Sequence, residues 1–132
     1  MTGFTFESKQ LAQDRLWLKV SGGLSAASAE ELRAWLGQIE AIIATMHKTA
    51  GTGISCVFDL VDLVEANDPV VITALVEFQK QNKPHIRRTA LIIKDPQVRL
   101  AMSIVGALAD RYNIRSFASN QEAEGWAFSE QA

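Results

Sequence analysis

A chain of 132 residues has the length of one domain, and 1–132 reads as a single one. Hydrophobic residues at 48% and charged residues at 21% exclude a disordered chain. With 13 basic and 15 acidic residues the net charge is -2, so the basic footprint of a nucleic-acid binder is missing.

The first elements alternate. Phe4–Lys9 sets Phe4 and Phe6 on one face and Thr5 and Glu7 on the other. Arg15–Val20 sets Leu16, Leu18 and Val20 opposite Trp17 and Lys19. Both predict strands, and a turn around Ala12-Gln13-Asp14 makes them an antiparallel hairpin. Trp17 is core if helices cover both faces of the sheet, and an exposed contact if they do not.

Ser21-Gly22-Gly23-Leu24-Ser25 is a turn signal. A helix of about 20 residues follows, about 30 Å long. Its apolar stripe is Ala29, Leu32, Trp35, Leu36, Ile39, Ile42, Ile43 and Met46. Ser28 with Glu31 fits a capping box, and Lys48 suits the negative C-terminal end. Gly37, mid-helix, predicts close packing against a neighbour.

Ile54–Leu60 is a β-branched and aromatic run, as in a strand buried on both faces. Val61–Asn67 reads as a connection. Asp68-Pro69 supplies an N-cap and a first-turn proline to a second helix, whose inner face is Val71, Ala74, Leu75 and Phe78. Thr89–Ile93 is a further buried strand, and Asp95-Pro96 repeats the cap. Val98, Ala101, Met102, Val105, Leu108 and Tyr112 form the third helix's stripe. Ile114–Phe117 is a short strand. Ser119 with Glu122 caps a last helix carrying Ala123, Trp126 and Ala127.

The order is therefore β-β-α-β-α-β-α-β-α, an α/β fold. Right-handed crossovers make the strands from Arg15 onward largely parallel, with the first as an antiparallel edge. Helices pack on the sheet.

This pattern resembles the STAS fold of anti-sigma-factor antagonists and sulfate-transporter tails. It is most similar to the bacterial STAS-like, SpoIIAA-like branch, which is also compared with lipid-transfer CRAL-TRIO domains. Three stretches carry the resemblance: Gly23-Leu24-Ser25-Ala26, Val57-Phe58-Asp59-Leu60, and Ile114–Phe117 followed by the helix with Glu122-Ala123-Glu124-Gly125-Trp126. The resemblance implies a regulatory domain that works by protein contact. The antagonists carry a phosphorylatable serine at the start of the second helix. Here the matching stretch is Ala66-Asn67-Asp68-Pro69-Val70, which has no hydroxyl.

Candidate sites are few. The segment Asp59–Asp68 leaves a strand's C-terminal end and enters a helix N-terminus, where open parallel sheets place ligands and partners. Asp59, Asp62, Glu65 and Asp68 make it acidic, which opposes a phosphate and favours a basic partner. Asp59, Asp62, Glu65, Asn67 and Asp68 are thus the expected partner-binding residues, unless Asp68 only caps and the others are solvated. Lys80, Lys83, His85, Arg87, Arg88 and Lys94 form a basic cluster. Of these, Lys80, Lys83, Arg87 and Arg88 are the expected contacts for anionic lipid or an acidic partner, against a reading as helix-dipole complement plus solvated turn.

No catalytic residues, metal ligands or cofactor are expected. His47 and His85 are far apart in sequence and lack a spaced Cys or His partner. Cys56 reads as inert core, and a lone cysteine fits a reducing compartment. Met1-Thr2-Gly3-Phe4 lacks a signal-peptide pattern, and no apolar run nears the ~20 residues of a membrane span. A cytoplasmic protein is expected. Two functions remain. One is a non-catalytic interaction module that binds a protein partner or its own copy, through the acidic segment and the long first helix. The other is a binder of an apolar ligand or lipid, peripheral to a membrane, which calls for a pocket of several hundred Å3.

Overall fold

The computed structural model describes residues 4–25 and 29–129. Strand β1 (Phe4–Ala12) pairs antiparallel with β2 (Arg15–Gly23), with a register shift between Gln10 and Ala12. Helix α1 (Ala29–Ala50) leads to β3 (Ile54–Asp59), which lies parallel to β2. A short β4 (Leu63–Glu65) precedes α2 (Pro69–Asn82) and a 3-10 turn (Lys83–His85). Then come β5 (Ile86–Ile92), α3 (Pro96–Leu108), β6 (Ile114–Phe117) and α4 (Asn120–Ala127). The strand order is β1-β2-β3-β5-β6, with β4 on the end of β2. The parallel run from β2 to β6 is what the expected crossovers require.

The two faces of β3 and β5 explain their unbroken apolar sequence. Cys56, Phe58 and Leu91 join the main core under α1, α2 and α3. Val57, Ala90 and Ile92 join a second cluster with Ala123 and Ala127 of α4. Both strands are therefore dry on both sides. α1 inserts Leu32, Trp35, Leu36, Ile39, Ile43 and Met46, each burial stabilising by roughly 1.5–3 kcal/mol.

The caps fall where the sequence places them. Asp68 Oδ1 accepts from Val70 N–H at 2.9 Å, and Asp95 Oδ1 from Gln97 N–H at 2.8 Å. Ser119 Oγ accepts from Glu122 N–H at 3.3 Å. Ser28 and Ala26, named above for a cap and a family turn, lie outside the described residues.

Several expectations are corrected. The connection Val61–Asn67 contains β4, which pairs parallel to β2 through Gly22 and Gly23. The turn signal Ser21–Gly23 instead prolongs β2, because Gly22 takes φ 98°, a left-handed conformation natural to glycine. β5 starts at Ile86, ahead of Thr89. Gly37 does not pack closely: a Cβ there would meet nothing within 4 Å. Leu108 and Tyr112 are not core. α3 ends at Leu108, Asp110 adopts φ 56°, and Arg111 N–H returns to Gly106 O at 3.0 Å. That left-handed cap turns the chain away and leaves Tyr112 90% exposed.

Candidate functional site: an acidic rim between β3 and α2

The segment from Asp59 to Asp68 is a clamped rim at the C-terminal ends of the parallel strands. Gly22 N–H donates to Asp62 O at 3.0 Å, and Leu24 N–H to Glu65 O at 2.8 Å. These bonds lock the loop backbone to the end of β2. Leu60, Leu63 and Ala66 turn inward and are buried. Asp62, Val64, Glu65 and Asn67 are exposed. Val64 is 67% exposed, an apolar side chain set among carboxylates.

The five expected residues are brought onto this rim, but they do different things. Asp59 accepts from Val61 N–H at 3.1 Å and shapes the turn out of β3. Asp68 caps α2. Asp62, Glu65 and Asn67 are the outward-facing members. Sequence reading missed Lys19, whose Nζ lies 3.1 Å from Asp62 and 4.0 Å from Asp59. The hydrogen bond to Asp62, then the charge of Asp59, hold its ammonium above the ordinary lysine value. Its only sequence signal was a charge inside the alternating run Leu16–Val20. The β2–β3 register that sets Lys19 beside Asp59 is a tertiary fact.

The basic cluster divides. Arg87 Nη1 donates to Ala127 O at 3.2 Å and to Ser55 Oγ at 3.3 Å, and its Nη2 donates to Ser129 O. Arg88 Nη1 donates to Trp126 O at 2.6 Å, and Arg15 Nη2 to Phe128 O at 3.3 Å. Three arginines thus engage carbonyls at the C-terminal end of α4, the negative end of its dipole. Lys83 pairs with Asp110 at 3.6 Å, and Lys80 is exposed.

The two histidines do meet. The ring of His47, in the last turn of α1, lies 4.8 Å from that of His85. Among the described residues no group of three or more His, Cys, Asp or Glu is placed to hold a metal. Trp17 is half-buried against the α4 cluster, with Lys9 Nζ 5.2 Å above its ring. Burial pushes the Cys56 thiol up to about 12, against the opposing charge of Arg111.

An apolar cavity of about 40 Å3 lies between the sheet and the helices, lined by Leu32, Leu36, Phe58, Phe78, Met102 and Val105 among others. Small-molecule pockets usually start near 300 Å3, so this cavity as it stands is too small for an acyl chain. Beside it Arg111 is buried and donates to Gln79 Oε1 at 2.6 Å, Asn113 Oδ1 at 2.7 Å and Thr89 Oγ1 at 3.0 Å.

No protein-family model matches the chain, and no curated protein matches its sequence at a significant level. Solved structures do match. One is an uncharacterised protein of the DUF3478 family from Shewanella loihica PV-4, described as having a SpoIIAA-like fold. It has a TM-score of 0.62 and 15% identity, over 96% of this chain and 95% of that one. The fold is SpoIIAA-like. The phosphorylated form of SpoIIAA, a Bacillus cell fate determinant, aligns with a TM-score of 0.57 and 15% identity, over 90% of this chain and 96% of its own. Unphosphorylated SpoIIAA, described as an anti-sigma factor antagonist, aligns at 0.57 and 12% identity, over 89% and 92%. The SpoIIAA-like architecture thus accounts for nearly the whole chain. No helix among the described residues is long and apolar enough to cross a membrane.

Proposed function

We propose that this chain is a non-catalytic regulatory domain of the cytoplasm that docks a basic protein partner on the rim Asp59–Asp68. The observation that carries the reading is the clamp of Asp62 and Glu65 backbone onto Gly22 and Leu24. It holds exposed carboxylates and Val64 in place before any partner arrives, so little ordering entropy is lost on binding. The SpoIIAA-like fold supports a regulatory role by analogy with an anti-sigma factor antagonist. Residues 66–70 offer no hydroxyl, so the switch here does not depend on phosphate at that place.

The test is charge reversal on the rim. Asp62→Lys with Glu65→Lys should abolish capture of a basic partner from lysate and leave the melting temperature nearly unchanged, since both side chains are solvent-exposed. Capture equal to that of the unmodified chain would remove the rim as the site. The apolar-ligand reading ranks second, because a lipid would have to part α2 and α3 to enlarge the cavity of about 40 Å3. Native mass spectrometry of freshly purified protein separates the two: co-purified lipid favours the second reading.

A further inference from the structure

The end of the sheet opposite the acidic rim is built from arginines and aromatic rings. Arg87 and Arg88 stand at the start of β5, and Arg115 at the start of β6. Strand alternation puts Arg88 with Ala90, and Arg115 with Phe117, on the face that α4 covers. α4 has only eight residues. It seats Ala123 and Ala127 on β3 and β5 and leaves Arg115 exposed at its side. The groove formed there has a volume of about 510 Å3, within the span of roughly 300–1,000 Å3 that small-molecule sites occupy. Arg87, Arg88, Tyr112, Asn113, Arg115 and Trp126 line it.

The guanidiniums of Arg88 and Arg115 each lie 5.1 Å from the centre of the Trp126 ring, so one indole orients both. Arg87 and Arg88 are also held by the carbonyls of Ala127 and Trp126. Among the described residues Arg115 has no hydrogen bond or ion pair. Burial, then the charges of Arg87 and Arg115, push the Arg88 pKa down, and a bound anion relieves that crowding of like charges. Tyr112, 90% exposed, stands on the groove wall. Asp110 accepts from its hydroxyl and is itself paired with Lys83 at 3.6 Å, so the groove keeps its positive charge.

We propose that this groove binds a small aryl phosphate, its phosphate on Arg115 and Arg88 and its ring against Tyr112. Guanidiniums converging on one opening suit the three terminal oxygens of a phosphate monoester, because the planar fork of arginine takes two oxygens at once. A carboxylate brings two oxygens and one charge, and leaves part of the fork unused. The groove is wider than a bare phosphate needs, and its remaining wall is the Tyr112 ring, on which a second aromatic ring packs well. The guanidiniums are placed before the ligand arrives, so little ordering entropy is lost. This site takes an anion, is distinct from the rim that docks a basic partner, and does not depend on it.

Isothermal titration calorimetry of the full chain with phenyl phosphate at low salt tests the proposal. Saturable single-site binding is expected, at least about tenfold tighter than that of benzoate or of inorganic phosphate. Arg115→Gln should weaken phenyl phosphate by at least about tenfold. Tyr112→Ala should weaken phenyl phosphate and leave inorganic phosphate unchanged, which places the ring. Both side chains are exposed, so the urea midpoint should not move in either variant. Absence of saturable binding overturns the proposal, as does benzoate or inorganic phosphate binding as tightly as phenyl phosphate. So does phenyl phosphate binding that either variant leaves unchanged. A chain that ignores phenyl phosphate and floats with anionic phosphatidylglycerol vesicles overturns it as well.

Discussion

Lys19 Nζ lies 3.1 Å from the Asp62 carboxylate, so a side chain of the second strand offsets charge on a loop more than forty residues away. Removing it leaves Asp59 and Asp62 without that cation. Lys19→Met should therefore tighten capture of a basic partner and steepen its salt dependence. The melting temperature should change little, because the pair is solvent-screened. Weakened capture would make Lys19 a contact instead. The Lys19 pKa is raised, so the pair's support is present at neutral pH and is lost only as alkaline pH passes its folded value.

Cys56 should be silent until the protein unfolds. Its thiol is buried and sits at about 12, against 9.0 for a free group. A thiol-reactive dye at mildly alkaline pH should label it only at the rate of global opening. The raised pKa also means that the unfolded chain loses its proton first. Stability from this group is full below about 9 and falls as pH rises from there to about 12. Urea titrations at a series of alkaline pH values, with Cys56→Ala as control, measure that loss.

Arg111 ties α2 to β5 through Gln79 and Thr89. Arg111→Ala strands these buried groups and should cost about 3 kcal/mol, read as a lower urea midpoint. Arg111→Lys should rescue little, because one ammonium cannot span the acceptors that the guanidinium fork reaches.

Gly37→Ala should stabilise by about 1 kcal/mol. A methyl group there meets nothing within 4 Å, and alanine lowers the backbone entropy lost in an exposed helix. The same urea titration reads the gain as a higher midpoint.

What could be read from the sequence was local chemistry. Asp68-Pro69 and Asp95-Pro96 mark the starts of α2 and α3 because cap and proline act within one turn. The apolar run Ile54–Leu60 marked a doubly covered strand because burial on both faces removes alternation. The parts that stayed hidden depend on partners distant in the chain. β4 exists because Gly22 and Gly23 accept it, and nothing within Val61–Asn67 announces that. Arg87 and Arg88 looked like a free basic patch, since the α4 carbonyls they bond lie some forty residues on. His47 and His85 meet only because α1 returns past the 3-10 turn. Tyr112 continued the α3 period on paper, but the left-handed Asp110 had already ended the helix.

At the candidate site the acidic residues were visible and their division of labour was not. Asp59 and Asp68 bond backbone N–H groups, and Asp62 and Glu65 face outward only because their own carbonyls are pinned. The central claim is that this pinned rim receives a partner. Hydrogen–deuterium exchange of the chain, alone and in complex with its captured partner, tests it most directly. Protection should appear in the exposed backbone between Asp62 and Val70 and little elsewhere on the sheet. Unchanged exchange across that segment, with protection on another face, would contradict the account.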